Sequence, residues 1–411
     1  MKPSSSEGSA YHFAPGQSDL AMTQVGRGTP AGEMLRRYWH PIAASAEVGD
    51  LPVAVRLLGE DLILFRTRVG EVGLVYPRCI HRGASLYYGR VEERGIRCCY
   101  HGWLFAPTGQ CLEQVCEPDC GARTVKHYRQ PWYPVEERYG VIFAYLGPLE
   151  EKPPLPRYEP LENLEDGQYR LIVDAHHKVF GDPQPDYNWL QMTENGVDPF
   201  HVYVLHNLNR DQFHPSFGIR PEVRWEPIPH GVRTSTLRRD QDHVVHRVGE
   251  LIFPLLTVSG NPLAHDFDKS VLFVWKVPVD DHNTRNIIIF RASDRVAGLV
   301  ESGEFERQLF PRSWHDMTEE EHQRDPGDYE AQKSQGPITL HTEENLVSSD
   351  KGVALYRRML KQAITDVAAG KSPFNMDVLS NRPVRIVAGN FLDDRLQAAL
   401  DENAALAAAE S

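Results

Sequence analysis

The chain has 411 residues, 41% of them apolar and 25% charged, with 57 acidic against 44 basic side chains and a net charge of −13. This is ordinary globular composition with room for two domains. The acidic balance argues against nucleic acid, whose phosphates call for clustered Lys and Arg, and no run approaches the ~18 consecutive apolar residues of a membrane span.

Residues 1–40 read as an N-terminal segment. Its start is rich in Ser, Gly and Gln and lacks the apolar h-region of a signal peptide, so a cytoplasmic location is expected. A short amphipathic helix is expected over Met34–Trp39, ending before Pro41. Across residues 41–150 the character changes. Val53–Leu58, Leu62–Phe65, Leu74–Tyr76 and Val141–Tyr145 are short strand-like runs between Gly, Pro and charged turns, as in a small antiparallel β domain. Gly147-Pro148, followed by Pro153, Pro154 and Pro156, marks a linker. Residues 151–411 read as a mixed domain. Asn188–Leu190 leads into a helix, and Val271–Val277 and Ile287–Arg291 are strands joined by the polar turn Asp280–Asn283. Gly352–Ala369 has the apolar spacing of a long helix, and the Ala-rich tail from Leu392 reads as another. The expected fold class is α+β, an all-β domain followed by an α+β domain.

Six cysteines in a reducing compartment point to metal rather than to disulfides. Cys79-Ile80-His81 and Cys98-Cys99-Tyr100-His101 form a C-x-H…C-x-x-H pair with 16 residues between His81 and Cys98. A [2Fe-2S] cluster in which two histidines replace two thiolates on one iron needs this set, one Cys and one His from each of two loops. Zinc also takes Cys and His in equal number, but zinc fingers pair C-x₂₋₄-C with H-x₃₋₅-H, whereas each loop here mixes the two types. The x-x spacing to His101 selects Cys98 and leaves Cys99 a bystander. Cys111, Cys116 and Cys120 have no further His or Cys at a familiar spacing and read as reduced thiols.

The second constellation runs Glu194-Asn195-Gly196-Val197-Asp198-Pro199-Phe200-His201-Val202-Tyr203-Val204-Leu205-His206. Two imidazoles and a carboxylate on one face of Fe(II) leave positions free for O₂. On a straight α-helix His201 and His206 diverge by about 140°, so they share a metal only if the helix is irregular. Pro199 with Asp198 as cap is one route to that, and a π-bulge is another. With 18 histidines in the chain, a pair five apart carries little weight by itself.

The strings Cys79-Ile80-His81-Arg82-Gly83-Ala84-Ser85-Leu86 and Cys98-Cys99-Tyr100-His101-Gly102-Trp103 closely resemble the cluster-binding loops of Rieske proteins. The run Asn188-Trp189…Glu194…Asp198…His201…His206, about 90 residues further on, resembles the catalytic-iron motif of Rieske non-haem iron oxygenases, E-x₃-D-x₂-H-x₄-H preceded by N-W. The resemblance spans nearly the whole chain and is to the oxygenase (alpha) component of the phthalate-dioxygenase-like branch. It implies a helix-grip-like catalytic domain, a Rieske [2Fe-2S] cluster held by Cys79, His81, Cys98 and His101, and a mononuclear Fe(II) held by His201 and His206. For the third ligand, Asp325, Asp328, Glu330, Glu343 and Glu344 compete. The stretch from Asp328 to Ile338 resembles the one that begins at the ligand aspartate, so Asp328 is expected, with Asp325 second. In this family Asp198 bridges the two metal centres across subunits, on a path from His101 through Asp198 of a neighbour to His201, which implies a homotrimer or a multiple of one. Asn188 occupies a family position near the iron, and a structural hydrogen bond explains it equally well. Trp103 and Tyr100 are expected to shield the cluster.

Neither a G-x-G-x-x-G following a strand nor a C-x₄-C-x₂-C cluster motif is present. Electrons are therefore expected from a separate NADH-dependent reductase carrying flavin and iron–sulfur. The expected reaction is hydroxylation or O-demethylation of an aromatic acid with O₂, the alternatives being a cis-dihydroxylating dioxygenase of phthalate type or a Rieske electron carrier. A carrier needs only about one domain and leaves the second half idle, and a zinc-binding interaction module is the third class. An aromatic acid calls for an Arg fork, for which Arg210, Arg247 and Arg291 are available and not distinguished.

Overall fold

The computed structural model describes residues 15–176, 184–240, 243–263, 267, 269–392, 401 and 405. The first 14 residues and most of the expected Ala-rich tail helix lie outside them. The first helix of consequence is Pro30–Leu35, not Met34–Trp39. Thr29 caps it, accepting from the Gly32 N–H, and Pro30 occupies the first helical turn, where its missing N–H costs nothing. Trp39–Ala44 (β1) is a fully buried strand instead. It tolerates Pro41 because β1 is an edge strand and its register slips between Pro41 and Ala43.

The first half holds three small antiparallel sheets. Val53–Leu57 (β2), Glu60–Arg66 (β3) and Val72–Val75 (β4) form the first, and the short pairs Arg90–Val91 (β5), Ile96–Arg97 (β6), Trp103–Phe105 (β7) and Cys111–Gln114 (β8) form the second. Trp132–Tyr133 (β9) completes the first, while Val135–Arg138 (β10) and Val141–Tyr145 (β11) join β1. Ile63, Phe65 and Val75 of one four-stranded sheet pack with Ile96, Trp103 and Phe105 of the other, and Cys79 and Cys98 belong to that same cluster. Phe65 and Phe105 are fully buried, each contributing roughly 1.5–3 kcal/mol relative to exposure.

The second half is built on an eight-stranded antiparallel sheet. Its strands are Tyr169–Asp174 (β12), Glu222–Ile228 (β13), Gly231–Asp240 (β14), His243–Ile252 (β15), Leu256–Gly260 (β16), Val271–Pro278 (β17), Thr284–Ser293 (β18) and Gly389–Leu392 (β19). The order is β12-β18-β17-β16-β15-β14-β13, and β19 pairs with the first half of β15 while β16 pairs with its second half. An all-β domain followed by an α+β domain with a large antiparallel sheet is thus what the chain forms.

Alternation sorts the faces of β17. Val271, Phe273, Trp275 and Val277 join the main core, where Trp275 meets Phe143 edge-on with centroids 5.9 Å apart, and Leu272, Val274 and Lys276 face the opposite way into a cavity. The halves are also joined through the backbone, the Leu58 N–H donating to the Pro278 carbonyl at 3.0 Å. The long helix Lys351–Ala368 buries Val353, Tyr356, Leu360, Ala363 and Val367 at helical spacing and packs on β13 and β14. No helix among the described residues is long and apolar enough to cross a membrane.

Candidate metal centres and substrate cavity

The Cys79 and Cys98 loops are built alike. In each, the cysteine N–H donates five residues ahead (to the Ala84 and Trp103 carbonyls, both 2.8 Å), and the glycine four residues on, Gly83 or Gly102, donates back to the cysteine carbonyl. Both glycines have positive φ, 76° and 68°, which side chains with a Cβ rarely adopt. The shared pattern makes Cys98 the counterpart of Cys79, and Cys99 is exposed. Cys79 and Cys98 are buried in the cluster between the sheets, whereas His81 is exposed and His101 half-buried. The imidazoles lie edge to face with centroids 4.6 Å apart, and His81 stacks on Trp103 at 4.7 Å.

Sulfur inside and nitrogen at the rim suits a cluster whose inner iron takes thiolates and whose outer iron takes imidazoles. Burial pushes the Cys79 thiol up, so its thiolate form needs a compensating metal charge. Burial and then the neighbouring His101 pull His81 down, toward the neutral imidazole that ligates. The sequence reading missed Gln130, which is fully buried. Its Oε1 accepts from the Ile80 N–H (3.0 Å) and its Nε2 donates to the Tyr76 and Arg78 carbonyls (both 2.8 Å), which pins the first loop. Nothing in its local sequence marks it.

Around His201 the helix is irregular in the way the spacing demands. Asp198 caps the turn Pro199–His201, its Oδ1 accepting from the Phe200 N–H at 2.9 Å. Val202–Leu208 then continues as π-helix, whose i→i+5 bonding brings residues five apart onto one face. His201 and His206 consequently face each other with ring centroids 5.4 Å apart. Asp328, the first residue of the helix Asp328–Lys333, comes to both, so that one ligand atom from each of the three lies within 4.8 Å of the others.

Hydrogen bonding fixes the tautomer of His206. Gln212 Nε2 donates to the Leu309 carbonyl at 2.9 Å, so its Oε1 must be the atom 2.7 Å from His206 Nδ1, and that nitrogen must be the donor. His206 Nε2 is left with a lone pair 3.3 Å from Asp328 Oδ2. Two acceptors facing each other call for a cation between them, which is what a metal supplies and what a proton supplies in its place. The charge balance agrees. Burial pushes Asp328 up, but the two imidazoles outweigh it and hold the carboxyl well below its usual range. Burial pulls both imidazoles down, and Asp328 reverses this for His206, which ends raised, but not for His201, which ends lowered. The donor set therefore fits a divalent iron.

Gln212 is a second residue that the sequence reading missed, since nothing marks a Gln six positions past His206. Replacing it with Leu is expected to unlock the His206 ring and weaken iron binding by about 10–100-fold with the cluster unaffected. An Fe(II) titration of chelator-treated protein checks this, and an unchanged affinity contradicts the orienting role.

The other acidic residues are engaged elsewhere. Asp325 pairs with Arg210 at 2.9 Å, and Glu330 accepts from the Gly327 N–H and from Trp314. Glu343 accepts from the Gly16 N–H, and Glu344 binds Arg357. Glu194 forms a two-pronged pair with Arg357, 2.6 Å at each oxygen, that ties its helix to Lys351–Ala368. Asn188 makes the structural contacts of its two readings. It is fully buried, caps the helix Trp189–Asn195, and donates to the Thr23 and Asp281 carbonyls at 3.0 and 2.7 Å. The amide that reaches the trio of His201, His206 and Asp328 is Asn195, whose Nδ2 donates to Asp328 Oδ1 at 3.2 Å. Asp198 sits beside His201, with Nδ1 donating to the Asp198 backbone carbonyl and carboxylate Oδ2 3.9 Å away.

The three residues border a cavity of about 210 Å³. Its other wall is the sheet face carrying Thr236, Arg238, Arg247, Ser259, Val274 and Lys276.

Residues 38–129 match the Rieske [2Fe-2S] domain family. The phenoxybenzoate dioxygenase subunit alpha of Ectopseudomonas oleovorans is 46% identical over 404 residues, covering 96% of this chain and 97% of that one. The oxygenase subunit of the tert-butanol monooxygenase / tert-amyl alcohol desaturase of Aquincola tertiaricarbonis is 36% identical over 397 residues, covering 91% and 80%. Among solved structures, Pseudomonas putida CBB5 NdmA with caffeine aligns with a TM-score of 0.61 at 21% identity over 86% of this chain and 97% of that one, which shows a common fold. Similarity of this extent to an oxygenase subunit, carried end to end with the Rieske domain in its expected place, means that the chain belongs to the Rieske non-haem iron oxygenases as the oxygenase component of a multi-component system.

Proposed function

We propose that Cys79, His81, Cys98 and His101 hold the Rieske cluster, that His201, His206 and Asp328 hold the catalytic iron, and that the enzyme oxygenates an aromatic acid by ring hydroxylation or O-demethylation. The carrying observation is the acceptor–acceptor contact between His206 and Asp328 at the edge of a cavity. When bound, the cluster supplies single electrons and the iron activates O₂. The chain's own residues do the rest. Gln212 and the Asp198 carbonyl orient the two imidazoles, Asn195 steadies the carboxylate, and Phe213, stacked on His206 at 4.2 Å, walls the site from water. The name of the phenoxybenzoate dioxygenase relative supports the aromatic acid.

In this reading residues 41–150 are the Rieske domain and 151–411 the catalytic domain, following the segment 1–40. Electrons enter from an NADH-dependent reductase in the cytoplasm and cross between subunits of a homotrimer or a multiple of one, from His101 of the partner subunit through Asp198 to His201. Two features support the crossing. Tyr87, Tyr88, Tyr100, Ile80 and Val115 leave an exposed apolar rim beside the cluster loops, and Asp198 Oδ2 accepts no hydrogen bond among the described residues.

The test is product analysis under ¹⁸O₂ with purified protein, a surrogate reductase and a panel of benzoates, phthalates and methoxybenzoates. Formaldehyde with loss of a methyl group establishes O-demethylation, and a product carrying both labelled oxygens establishes ring dioxygenation. Absence of turnover on every acid while the cluster is reduced normally removes the aromatic-acid assignment.

A further inference from the structure

The sheet wall of the cavity carries two arginines that the metal chemistry does not use. In the antiparallel register of β14 and β15, Thr236 stands opposite Arg247 and Arg238 opposite Val245. Arg238 and Arg247 are therefore diagonal neighbours on one face. Their guanidinium carbons lie 5.0 and 4.9 Å from the centroid of the Phe217 ring. Arg238 is 1% exposed, and it donates to Thr236 Oγ1 at 2.7 Å while its Nε has no partner. Arg247 donates to Asn390 Oδ1 at 3.0 Å. Among the described residues neither meets a carboxylate.

Two guanidinium groups side by side without an acid are expensive, because each loses hydration and they repel one another. Burial pushes Arg238 down to about 10, and burial together with Arg238 pushes Arg247 down to about 9. A ring face offsets only part of such a cost. Of the other cations, Arg210 is paired with Asp325 at 2.9 Å. Lys276 donates to the Val274 carbonyl at 3.2 Å and lies within the field of Asp328, where burial still pushes it down to about 7 and the carboxylate offsets only part of that. Arg291, on β18, is spent on the Asn163 and Lys269 carbonyls and on Glu165.

We infer that Arg247, backed by Arg238, is the anion-binding end of the substrate cavity and seats the carboxylate of the acid, leaving the rest of the molecule directed to the side of His201, His206 and Asp328. This rests on the aromatic-acid reading above and gives it a structural reader. A carboxylate matches the planar fork of an arginine, whereas a neutral alcohol or amide leaves both charges uncompensated. Thr236 Oγ1, which donates to the Arg247 carbonyl at 3.2 Å and accepts from Arg238, holds the two strands of the site in register.

The test is calorimetric titration of anaerobic holoenzyme with a phenoxybenzoate and with its neutral amide, for wild type, Arg247→Gln and Arg247→Lys. The wild type should prefer the acid. Arg247→Gln should lose roughly 10- to 100-fold in affinity for the acid, the value of a charge-assisted pair, and little for the amide. Arg247→Lys, which keeps the charge without the fork, should show a smaller loss that is still specific to the acid. The lysine variant answers the question alone if the glutamine variant fails to retain the cluster's visible spectrum. Equal losses for acid and amide, or no loss for either, overturn the anchor. If the acids of the panel are nonetheless bound and oxidised, the aromatic-acid reading survives that failure. A wild-type enzyme that binds none of the acids but oxidises a neutral compound overturns both.

Discussion

Asp328→Ala is expected to lower the iron content from about three to about two per chain and to bring turnover to background, with the cluster's visible spectrum unchanged. The carboxylate is the sole acidic member of the trio with His201 and His206, so its loss leaves two neutral imidazoles and no charge to hold a divalent ion. The fall in turnover should exceed the roughly 10- to 100-fold that removal of a ligand's hydrogen-bond partner costs. The fold should survive, because the start of the helix Asp328–Lys333 is held by the Glu330 carboxylate accepting from the Gly327 N–H at 2.7 Å. Asp325→Ala is the control. It breaks the pair with Arg210 and should leave the iron count at about three. Elemental analysis beside the cluster absorbance decides between them, and iron lost from the Asp325 variant instead would exchange the two assignments.

That control matters because Asp325 and Asp328 look alike in the sequence. The Cys79 and Cys98 loops are legible there, since each packs its Cys, His and Gly into five residues and the geometry is local. His201 and His206 are legible for a related reason. Five residues apart is incompatible with a straight α-helix, and the π-helix Val202–Leu208 resolves the mismatch. The proposed third ligand, Asp328, lies on a distant helix among several acids, and only their tertiary partners separate them: Arg210 for Asp325, a helix cap for Glu330, Arg357 for Glu344. Resemblance pointed to Asp328, but spacing did not. Gln212, Gln130 and Arg238 act through contacts made by folding, and no local pattern marks them. The displaced first helix has another cause. Trp39–Ala44 is buried on every residue, and a short apolar run does not reveal its period, so Met34–Trp39 read as one helix. Pro41 looked like a helix stop and is an edge-strand residue at a register slip. Asn188 illustrates the converse. Two readings stood level on sequence, and its three hydrogen bonds are all structural.

Asp198→Asn separates holding the iron from feeding it. The asparagine retains the cap, because the Asp198 side chain acts there only as an acceptor for the Phe200 N–H at 2.9 Å and Asn caps as well as Asp. It also leaves His201 in place, since Nδ1 donates to the backbone carbonyl of residue 198 and not to its side chain. What changes is the charge at Oδ2, 3.9 Å from that imidazole and available to an imidazole arriving from a partner subunit. The expected outcome is therefore full iron content and a normal cluster spectrum, with turnover reduced at least about 100-fold. Reoxidation of the pre-reduced cluster in the presence of substrate and O₂ should slow by the same factor. Stopped-flow absorbance of the cluster measures that step directly. A variant that turns over normally ends the bridging role. A variant that loses its iron instead makes Asp198 a support of the metal site, because a cap and a backbone carbonyl that Asn reproduces would then not suffice to hold His201.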